Sequence, residues 1–417
     1  MKNWKRISLT FLARSFGAVV GLLNLLITSH EMGAEARAVL ALFTLCTAAV
    51  ALVSEWVVGP ALVVEAARFS PRRLWLTGYG WVLASASACA LLFGAWGLLP
   101  GGFAFQLWII TTLQGMATFH QQWLIAKGRL MHTHLLLVVQ NALQIGLLAW
   151  FCFGMGWNDI EAYMISLMVG FGAMALLTGL SLSLGSDALP LYAEPFPLRR
   201  LLRVGGWVTL ANLAHLAATR ITFYLLNRTV TKAELGCYTT AVTLTESVLL
   251  VSTSISLVLY AQLAVNSGQA SERRMATYRM TGWGAWGAAL GLLLLLAIPS
   301  ELWEHLLGKS FNGISTLMRY YAPSVWLLAL TTIISHYFSG SGRFHICAAG
   351  SGVALVVNLL GAWCLIPILR ENGALLASAL AFFAQLIFLV LRLHAEEARP
   401  LRVWLPELFR FHHPFKT

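Results

Sequence analysis

The chain alternates long apolar stretches with short polar connections along its length, and this alternation restricts the folds open to it. About 20 mostly apolar residues are needed to cross the roughly 30 Å of hydrocarbon in a bilayer. Only 11% of the residues are charged, whereas a soluble domain has about 25% charged residues. The sequence therefore predicts an all-α polytopic membrane protein without a soluble domain.

Twelve stretches are long and apolar enough to be transmembrane helices, with ends defined to within several residues. They lie at Ser8–Ser29, Ala36–Val64, Leu74–Leu99, Phe103–Ile125, His134–Met155, Ile160–Leu184, Gly205–Asn227, Leu235–Ala264, Arg279–Pro299, Tyr320–Phe338, Ile346–Leu369 and Ala374–Leu393. Twelve is an even number of crossings, so both termini are predicted on the same side of the membrane.

The distribution of Lys and Arg predicts the orientation, because these residues are enriched in cytoplasmic loops. With the N-terminus in the cytoplasm, 20 of the 28 Lys and Arg residues fall in cytoplasmic segments, 6 in outer segments and 2 inside spans. The formal net charge of +11 is thus a consequence of topology, and we expect no nucleic-acid partner. We expect a bacterial inner (plasma) membrane protein, surrounded by membrane lipids, with both termini cytoplasmic.

A proline-containing segment at residues 185–204 divides the chain into two halves. The sequence predicts an N-lobe at 1–184 with spans one to six, a cytoplasmic linker at 185–204, a C-lobe at 205–393 with spans seven to twelve, and a cytoplasmic tail at 394–417. The segment Met32–Arg37 before the second span has a counterpart in Thr231–Gly236 before the eighth. Such a repeat is typical of transporters in which two six-helix lobes surround a central cavity.

Four charged residues lie inside predicted spans, namely Arg14, Glu55, Arg220 and Glu246. A charge near the centre of a membrane helix costs about 2.5–3.5 kcal/mol, so these side chains are not expected to face lipid. Each half has one Arg and one Glu at matching depth on sequential helices, which predicts the pairs Arg14–Glu55 and Arg220–Glu246. Two compatible interpretations stay open: salt bridges that hold each helical hairpin, with Glu55 or Glu246 also able to couple to an ion, or a cavity whose cations bind an anionic headgroup.

Uncharged polar residues recur at helical spacing on several spans. Together with Arg14 and Arg220, those predicted to line a substrate cavity are Asn24, Gln114, Gln121, Gln140, Gln144, Asn212 and His215. Taken singly, such residues more often form hydrogen bonds between helices, whereas several polar stripes together favour a hydrated cavity. His120, His215 and His336 are candidate proton sites, and a hydrogen-bonded histidine inside the bundle is the more frequent alternative.

Sequence patterns for catalysis and for cofactor binding are missing from the chain. It has no GxxxxGK[ST] phosphate-binding loop and no metal-ligand spacing, and its six cysteines are scattered. The longest predicted outer loop, Ser300 to Arg319, is shorter than the loops that carry the catalytic groups of membrane glycosyltransferases. We therefore expect a protein that is not an enzyme and that holds no metal or cofactor. Transport would be passive or would use H⁺ or Na⁺ as coupling ion.

Several short segments resemble the polysaccharide (O-antigen-type) flippases of the multidrug/oligosaccharidyl-lipid/polysaccharide exporter superfamily. Met32–Leu40 resembles the run that opens the second span in that family, and Ala233–Tyr238 followed by Thr245-Glu246 resembles the opening of its eighth span. The matches along the last four spans are Gly308–Phe311, Gly340–Arg343, Leu365–Pro367 and Asn372–Ala374. The resemblance extends over nearly the whole chain.

This resemblance implies two lobes that rock to alternate access, and a cationic cavity for an undecaprenyl-pyrophosphate-linked oligosaccharide used in surface polysaccharide (lipopolysaccharide O-antigen) biosynthesis. Arg14 lies where related flippases carry cavity arginines. Thr219-Arg220 stands where many members have Asp-Arg, which leaves Glu246 as the acidic candidate for coupling. A polysaccharide polymerase and chain-length proteins would be partners. Two alternatives stay open: a multidrug extruder that exchanges cationic drugs for ions, and a non-transporting scaffold of a polysaccharide-assembly complex.

The predicted topology can be tested by cysteine labelling in intact cells. In a variant without the six native cysteines, we expect a membrane-impermeant thiol reagent to modify His305→Cys and to spare Pro195→Cys. The first position lies in a predicted outer segment and the second in a predicted cytoplasmic segment. The opposite labelling pattern would contradict the topology.

Overall fold

A computed structural model of the protein describes residues 2–65, 71–183, 198–265 and 270–395. Side chains are described within these ranges except for residues 2–12, 14, 61, 64–65, 71–73, 198–200, 203–204, 260–265 and 270–274. These parts of the chain form helices and their connections, and they contain no β-strand. The all-α prediction is therefore confirmed.

Thirteen α-helices follow one another in the described ranges. They are α1 (Lys2–Val58), α2 (Pro60–Glu65), α3 (Pro71–Ala95), α4 (Ala104–Ala126), α5 (Leu130–Ala149), α6 (Ile160–Ser183), α7 (Leu198–Leu226), α8 (Lys232–Glu246), α9 (Leu249–Val265), α10 (Ala270–Leu296), α11 (Ser300–Leu307), α12 (Ile314–Gly340) and α13 (Phe344–Ala395).

Every predicted span corresponds to helix in this structure. Six helices are each long and apolar enough to cross a membrane, and the bent pairs α8–α9 and α10–α11 raise this number to eight among the described residues. Helices α1 and α13 have 57 and 52 residues, which at about 1.5 Å per residue is enough for two crossings each. The polar stripes lie on α4 and α7, which explains why these two helices fall short on hydropathy alone. The chain is a multi-pass membrane protein.

The two long helices are interrupted at single residues, which separate the predicted spans. Gly33 in α1 has φ 77° and ψ −179°, a conformation that glycine adopts without steric penalty. Arg370 in α13 has φ 52° and ψ −125°, and its guanidinium Nη2 donates to the Glu234 carboxylate at 2.8 and 2.9 Å. Glu234 in turn accepts a hydrogen bond from the Thr231 backbone N–H at 2.8 Å and completes the capping box of α8.

Three predicted boundaries are corrected by the structure. The second span was expected to reach Val64, but its helix ends at Val58 and the short α2 follows Gly59. The predicted outer loop from Ser300 to Arg319 contains α11, which bends by 80° from α10, and the start of α12. The eighth span is divided into α8 and α9 with a bend of 44°. In α11 the buried Trp303 and Leu307 alternate with exposed Leu302 and Leu306, so the segment is helical with an inner and an outer face.

The chain divides into two compact units, Met1–Leu210 and Ala211–Thr417. In the first unit α1 packs against α3, α4 and α5, and α6 packs against α4 and α5. In the second unit α12 is central and contacts α8, α9, α10 and α13. The predicted linker lies largely in 184–197 and the predicted tail largely in 396–417, both outside the described residues, so these domain boundaries stay predictions.

Within the first unit, the start of α7 closely approaches the end of α1. The Trp56 indole Nε1 donates to the Leu202 carbonyl oxygen at 2.9 Å. A Cβ atom added to Gly205 would lie 2.4 Å from the Trp56 carbonyl oxygen, whereas one added to Gly21 would have no atom within 4 Å. The contact at Gly205 involves backbone and cannot be relieved by a side-chain rotation.

These two glycines give a matched test of the packing. We expect Gly205→Ala to destabilise the protein by about 1–3 kcal/mol, because an overpacked contact forces a backbone shift. Gly21→Ala should be neutral or stabilising by up to about 1 kcal/mol, because alanine favours helix. Unfolding midpoints of the detergent-solubilised variants measure both effects. Equal midpoints for the two variants would contradict the α1–α7 contact.

Candidate functional site

Arg220 on α7 and Glu246 at the end of α8 form a salt bridge, which confirms the pair predicted from the sequence. Nη1 of Arg220 donates to Oε1 of Glu246 at 2.7 Å, and Nη2 donates to Oε2. A two-pronged pair of this kind fixes both side chains in one orientation. The side chains of Arg220 and Glu246 are 22% and 13% exposed. The pair is therefore accessible from outside the helix packing.

Aromatic side chains complete the surroundings of this pair. The Tyr321 hydroxyl on α12 donates to Oε1 of Glu246 at 2.9 Å. The Arg220 guanidinium lies 5.3 Å from the centre of the Phe223 ring, a cation–π contact. Tyr321 was not predicted from the sequence, since it is one of two consecutive tyrosines that belong to no polar stripe. Glu246 is thereby held by one cation and one neutral donor, each from a different helix.

The face of α7 and α8 next to the pair is polar and accessible. Asn212 and His215, both predicted cavity residues, are exposed, as are Thr243 and Ser247. His215 lies within electrostatic range of Glu246 and Arg220. Polar side chains at this depth would be disfavoured against lipid. The hydrated cavity that the sequence predicts beside this face stays a prediction.

The break between α8 and α9 coincides with the ion pair. Glu246 is the last residue of α8. After it, backbone hydrogen bonds join residues three apart instead of four. The Ser247 N–H donates to the Leu244 carbonyl oxygen at 3.1 Å, and the Val248 N–H donates to the Thr245 carbonyl oxygen at 3.4 Å. Helices interrupted at membrane depth commonly form the substrate and ion sites of transporters. The interrupted backbone and the charged pair therefore mark one candidate site.

The polar residues predicted in the first unit are mostly inside the helix packing. Gln140 and Gln144 on α5 are buried, and a Cβ atom at Gly170 of α6 would lie 3.3 Å from the Gln144 Cβ. Asn24 is also buried. Two carbonyl oxygens, Oδ1 of Asn24 and Oε1 of Gln114, are buried without a hydrogen-bond partner. These residues lie between helices of the first unit, and their role in substrate binding stays a prediction.

The remaining predicted residues are placed only in part. Glu55 on α1 and Gln121 on α4 are half-buried. Arg14 lies on the helical backbone of α1, but its side chain is outside the described residues. The Arg14–Glu55 pair therefore stays a prediction.

His120 is a hydrogen-bonded histidine inside the bundle, which is the alternative that the sequence favoured. Its Nε2 is 2.6 Å from the Tyr79 hydroxyl, and its Nδ1 is 3.0 Å from the Ala175 carbonyl oxygen. It lies at one wall of an open groove between α3, α4 and α6. His336 bonds within its own helix, with Nδ1 2.8 Å from the Thr332 carbonyl oxygen.

The chemistry available at the Arg220–Glu246 site is ionic and hydrogen-bonding. Among the described residues, no group of three or more His, Cys, Asp and Glu side chains could hold a metal ion. A guanidinium keeps its proton at all accessible pH values and matches the geometry of phosphate and carboxylate oxygens. The site can therefore bind an anion at Arg220 if the salt bridge to the Glu246 carboxylate is broken.

The structural contribution of the pair can be measured with a double-mutant cycle. Arg220→Gln should destabilise the protein by about 3 kcal/mol, because breaking a buried pair leaves Glu246 with an uncompensated charge. Glu246→Gln should have a similar effect by stranding Arg220. The double variant should regain most of the loss, since it removes both charges. Unfolding midpoints in detergent or nanodiscs report these differences, and additive losses in the double variant would contradict the coupling.

No protein-family model matches the sequence, and neither does any curated protein. Solved structures, by contrast, match over nearly the whole chain. The lipid II flippase MurJ in an inward closed conformation gives a TM-score of 0.75 at 11% identity, covering 97% of this chain and 93% of that one. An inward-facing multidrug resistance MATE family transporter gives a TM-score of 0.66 at 15% identity, covering 92% and 96%.

A third match, the eukaryotic MATE transporter AtDTX14, gives a TM-score of 0.64 at 15% identity and covers 98% of both chains. The three similar proteins are transporters or flippases, and the MATE transporter in the inward-facing structure is described as a member of the MOP superfamily. Identities this low establish a shared fold. The chain therefore shares the fold of these solved flippase and MATE transporter structures.

Proposed function

We propose that the protein flips a lipid-linked oligosaccharide, of the undecaprenyl-pyrophosphate type, from the cytoplasmic to the outer leaflet of a bacterial inner membrane. The movement would proceed by alternating access and supply surface polysaccharide biosynthesis of the O-antigen and lipopolysaccharide kind. A polysaccharide polymerase and chain-length proteins would act on the product. The observation that carries this proposal is the accessible Arg220–Glu246 pair at the break between α8 and α9.

The pair suits an anionic substrate because its cation can be exposed by a single chemical change. While Glu246 is ionised, it occupies both Nη atoms of Arg220. A proton on Glu246 would remove its charge and leave the guanidinium free for a pyrophosphate, which offers the same two-pronged geometry. Proton binding and substrate binding would then favour the same state, and Glu246 would be the coupling residue with H⁺ as the coupling ion.

The alternative is a multidrug extruder, and it is supported by the fold shared with MATE transporters. A cationic drug needs an acidic side chain as its counter-charge. In the second unit, Glu246 is already neutralised by Arg220 and also accepts from Tyr321. This arrangement favours the anionic substrate. The scaffold alternative requires no transport and is separated from both by the experiment below.

Proteoliposomes test the three alternatives in one system. With a fluorescent undecaprenyl-pyrophosphate-linked oligosaccharide in one leaflet, we expect the wild type to move it to the other leaflet, as read by chemical quenching. Arg220→Gln/Glu246→Gln should lower the rate at least tenfold while unfolding at a similar temperature. Transport of a cationic dye in place of the lipid would support the extruder. Transport of neither would contradict a transport function and favour the scaffold.

A further inference from the structure

Arg37 is a half-buried arginine whose Nε atom is fully buried, and its environment differs from that of Arg220. It lies on α1 four residues after the interruption at Gly33, at the predicted outer end of the second span. Its Nη1 donates to the Thr28 hydroxyl oxygen at 3.2 Å, and its Nε is buried without a hydrogen-bond partner. Among the described residues no carboxylate forms a salt bridge with it. Within the part of the chain that the structure describes, Arg37 therefore has no carboxylate as counter-charge.

The nearest acidic residues along the chain are occupied or directed elsewhere. The Glu31 carboxylate accepts a hydrogen bond from the Asn158 side-chain amide at 2.9 Å. Glu35 is exposed. Neither forms a salt bridge with Arg37, although both lie within six residues of it in sequence. Carboxylates are therefore present close to Arg37 in the sequence, but they do not pair with it.

Polar groups around Arg37 orient it and offer further hydrogen bonds. The Thr28 hydroxyl is fully buried and donates to the Asn24 carbonyl oxygen at 2.6 Å, which leaves its lone pair to accept from Arg37. Asn24 lies one turn before Thr28 on the same helix, and its buried Oδ1, which can only accept a hydrogen bond, has no partner. Tyr163 of α6 is buried and lies within electrostatic range of the guanidinium. Phenol O–H groups are donors to oxyanions.

Arg37 and Arg220 therefore differ in the partners of their guanidinium groups. Arg220 has a carboxylate on both Nη atoms, whereas Arg37 has one neutral hydroxyl. A buried charge without a partner is destabilising, and a bound counter-ion relieves this. We propose that Arg37, positioned by Thr28 and assisted by the Tyr163 hydroxyl, forms a binding site for a phosphate-class oxyanion. Resting on the proposed function, we assign its ligand as the pyrophosphate of the lipid-linked oligosaccharide at the outer end of the first unit.

Binding measurements on the full chain in nanodiscs test this site. The probes are undecaprenyl pyrophosphate, undecaprenol as the chain without the anion, inorganic pyrophosphate, and phosphatidylglycerol as an ordinary anionic headgroup. We expect undecaprenyl pyrophosphate to raise the unfolding midpoint of the wild type and undecaprenol to leave it unchanged. Arg37→Gln should weaken the Kd for undecaprenyl pyrophosphate at least tenfold, and Arg37→Lys should weaken it less. The exposed Arg228 on the C-terminal side of α7 provides the matched control, and Arg228→Gln should bind as the wild type does.

A second readout separates a binding role from a structural one. Without ligand, Arg37→Gln should unfold at the same temperature as the wild type or higher, since it removes an uncompensated charge and only one hydrogen bond. A lower midpoint without ligand, together with an unchanged Kd, would overturn the site. Equal stabilisation by phosphatidylglycerol would overturn the assignment of its ligand as the substrate.

Failure of the Arg37 site can be distinguished from failure of the proposed flippase function. If the wild type flips the lipid-linked oligosaccharide and Arg37→Gln binds undecaprenyl pyrophosphate as tightly, the Arg37 site is wrong and the function stands. If the wild type neither flips the lipid nor binds any phosphate probe, both are wrong.

Discussion

The interior of a bilayer offers no hydrogen-bond partner, so every polar group at that depth must be satisfied by the protein or by water in a cavity. Helices satisfy their own backbone, and the structure departs from regular helix at only a few places in its long helices. Near the predicted outer surface, the interruption at Arg370 is accompanied by hydrogen bonds to Glu234, next to the capping box of α8. The break after Glu246 is different, because it lies within a predicted span and beside an accessible polar face.

The same constraint applies to the two arginines Arg220 and Arg37, which are both half-buried. Arg220 is tolerated because Glu246 neutralises it, so the pair is a stable resting arrangement that a proton or an anion could rearrange. Arg37 has no such partner among the described residues and retains an unpartnered Nε. A fold that tolerates one neutralised and one unneutralised guanidinium has two ways to receive an anionic headgroup. The first site would release its cation through a competition, and the second would bind directly.

The fold is shared with proteins that have almost no sequence similarity to this one. An identity of 11% accompanies a TM-score of 0.75 over nearly the whole chain. Lipid-facing positions accept any apolar residue of suitable size, so identity is lost there without loss of structure. Differences in function between a flippase and a drug transporter must then lie in a small set of polar side chains. The preference for an anionic substrate therefore depends on the geometry of individual arginines and not on the fold.

The sequence by itself determined the all-α membrane class, the helical character of the predicted spans and the Arg220–Glu246 pair, because apolar length predicts crossings and hairpin neighbours at equal depth tend to meet. Only the tertiary structure decided which helix completes that pair. Tyr321 is 75 residues from Glu246 along the chain, and the spacing of residues on one helix fixes depth but not the rotation that selects partners on another. For the same reason the sequence predicted His120 only as one of two alternatives until Tyr79 and Ala175 were seen to bind it. Nor did the sequence show that Arg37, at the predicted outer end of the second span, has no carboxylate partner among the described residues.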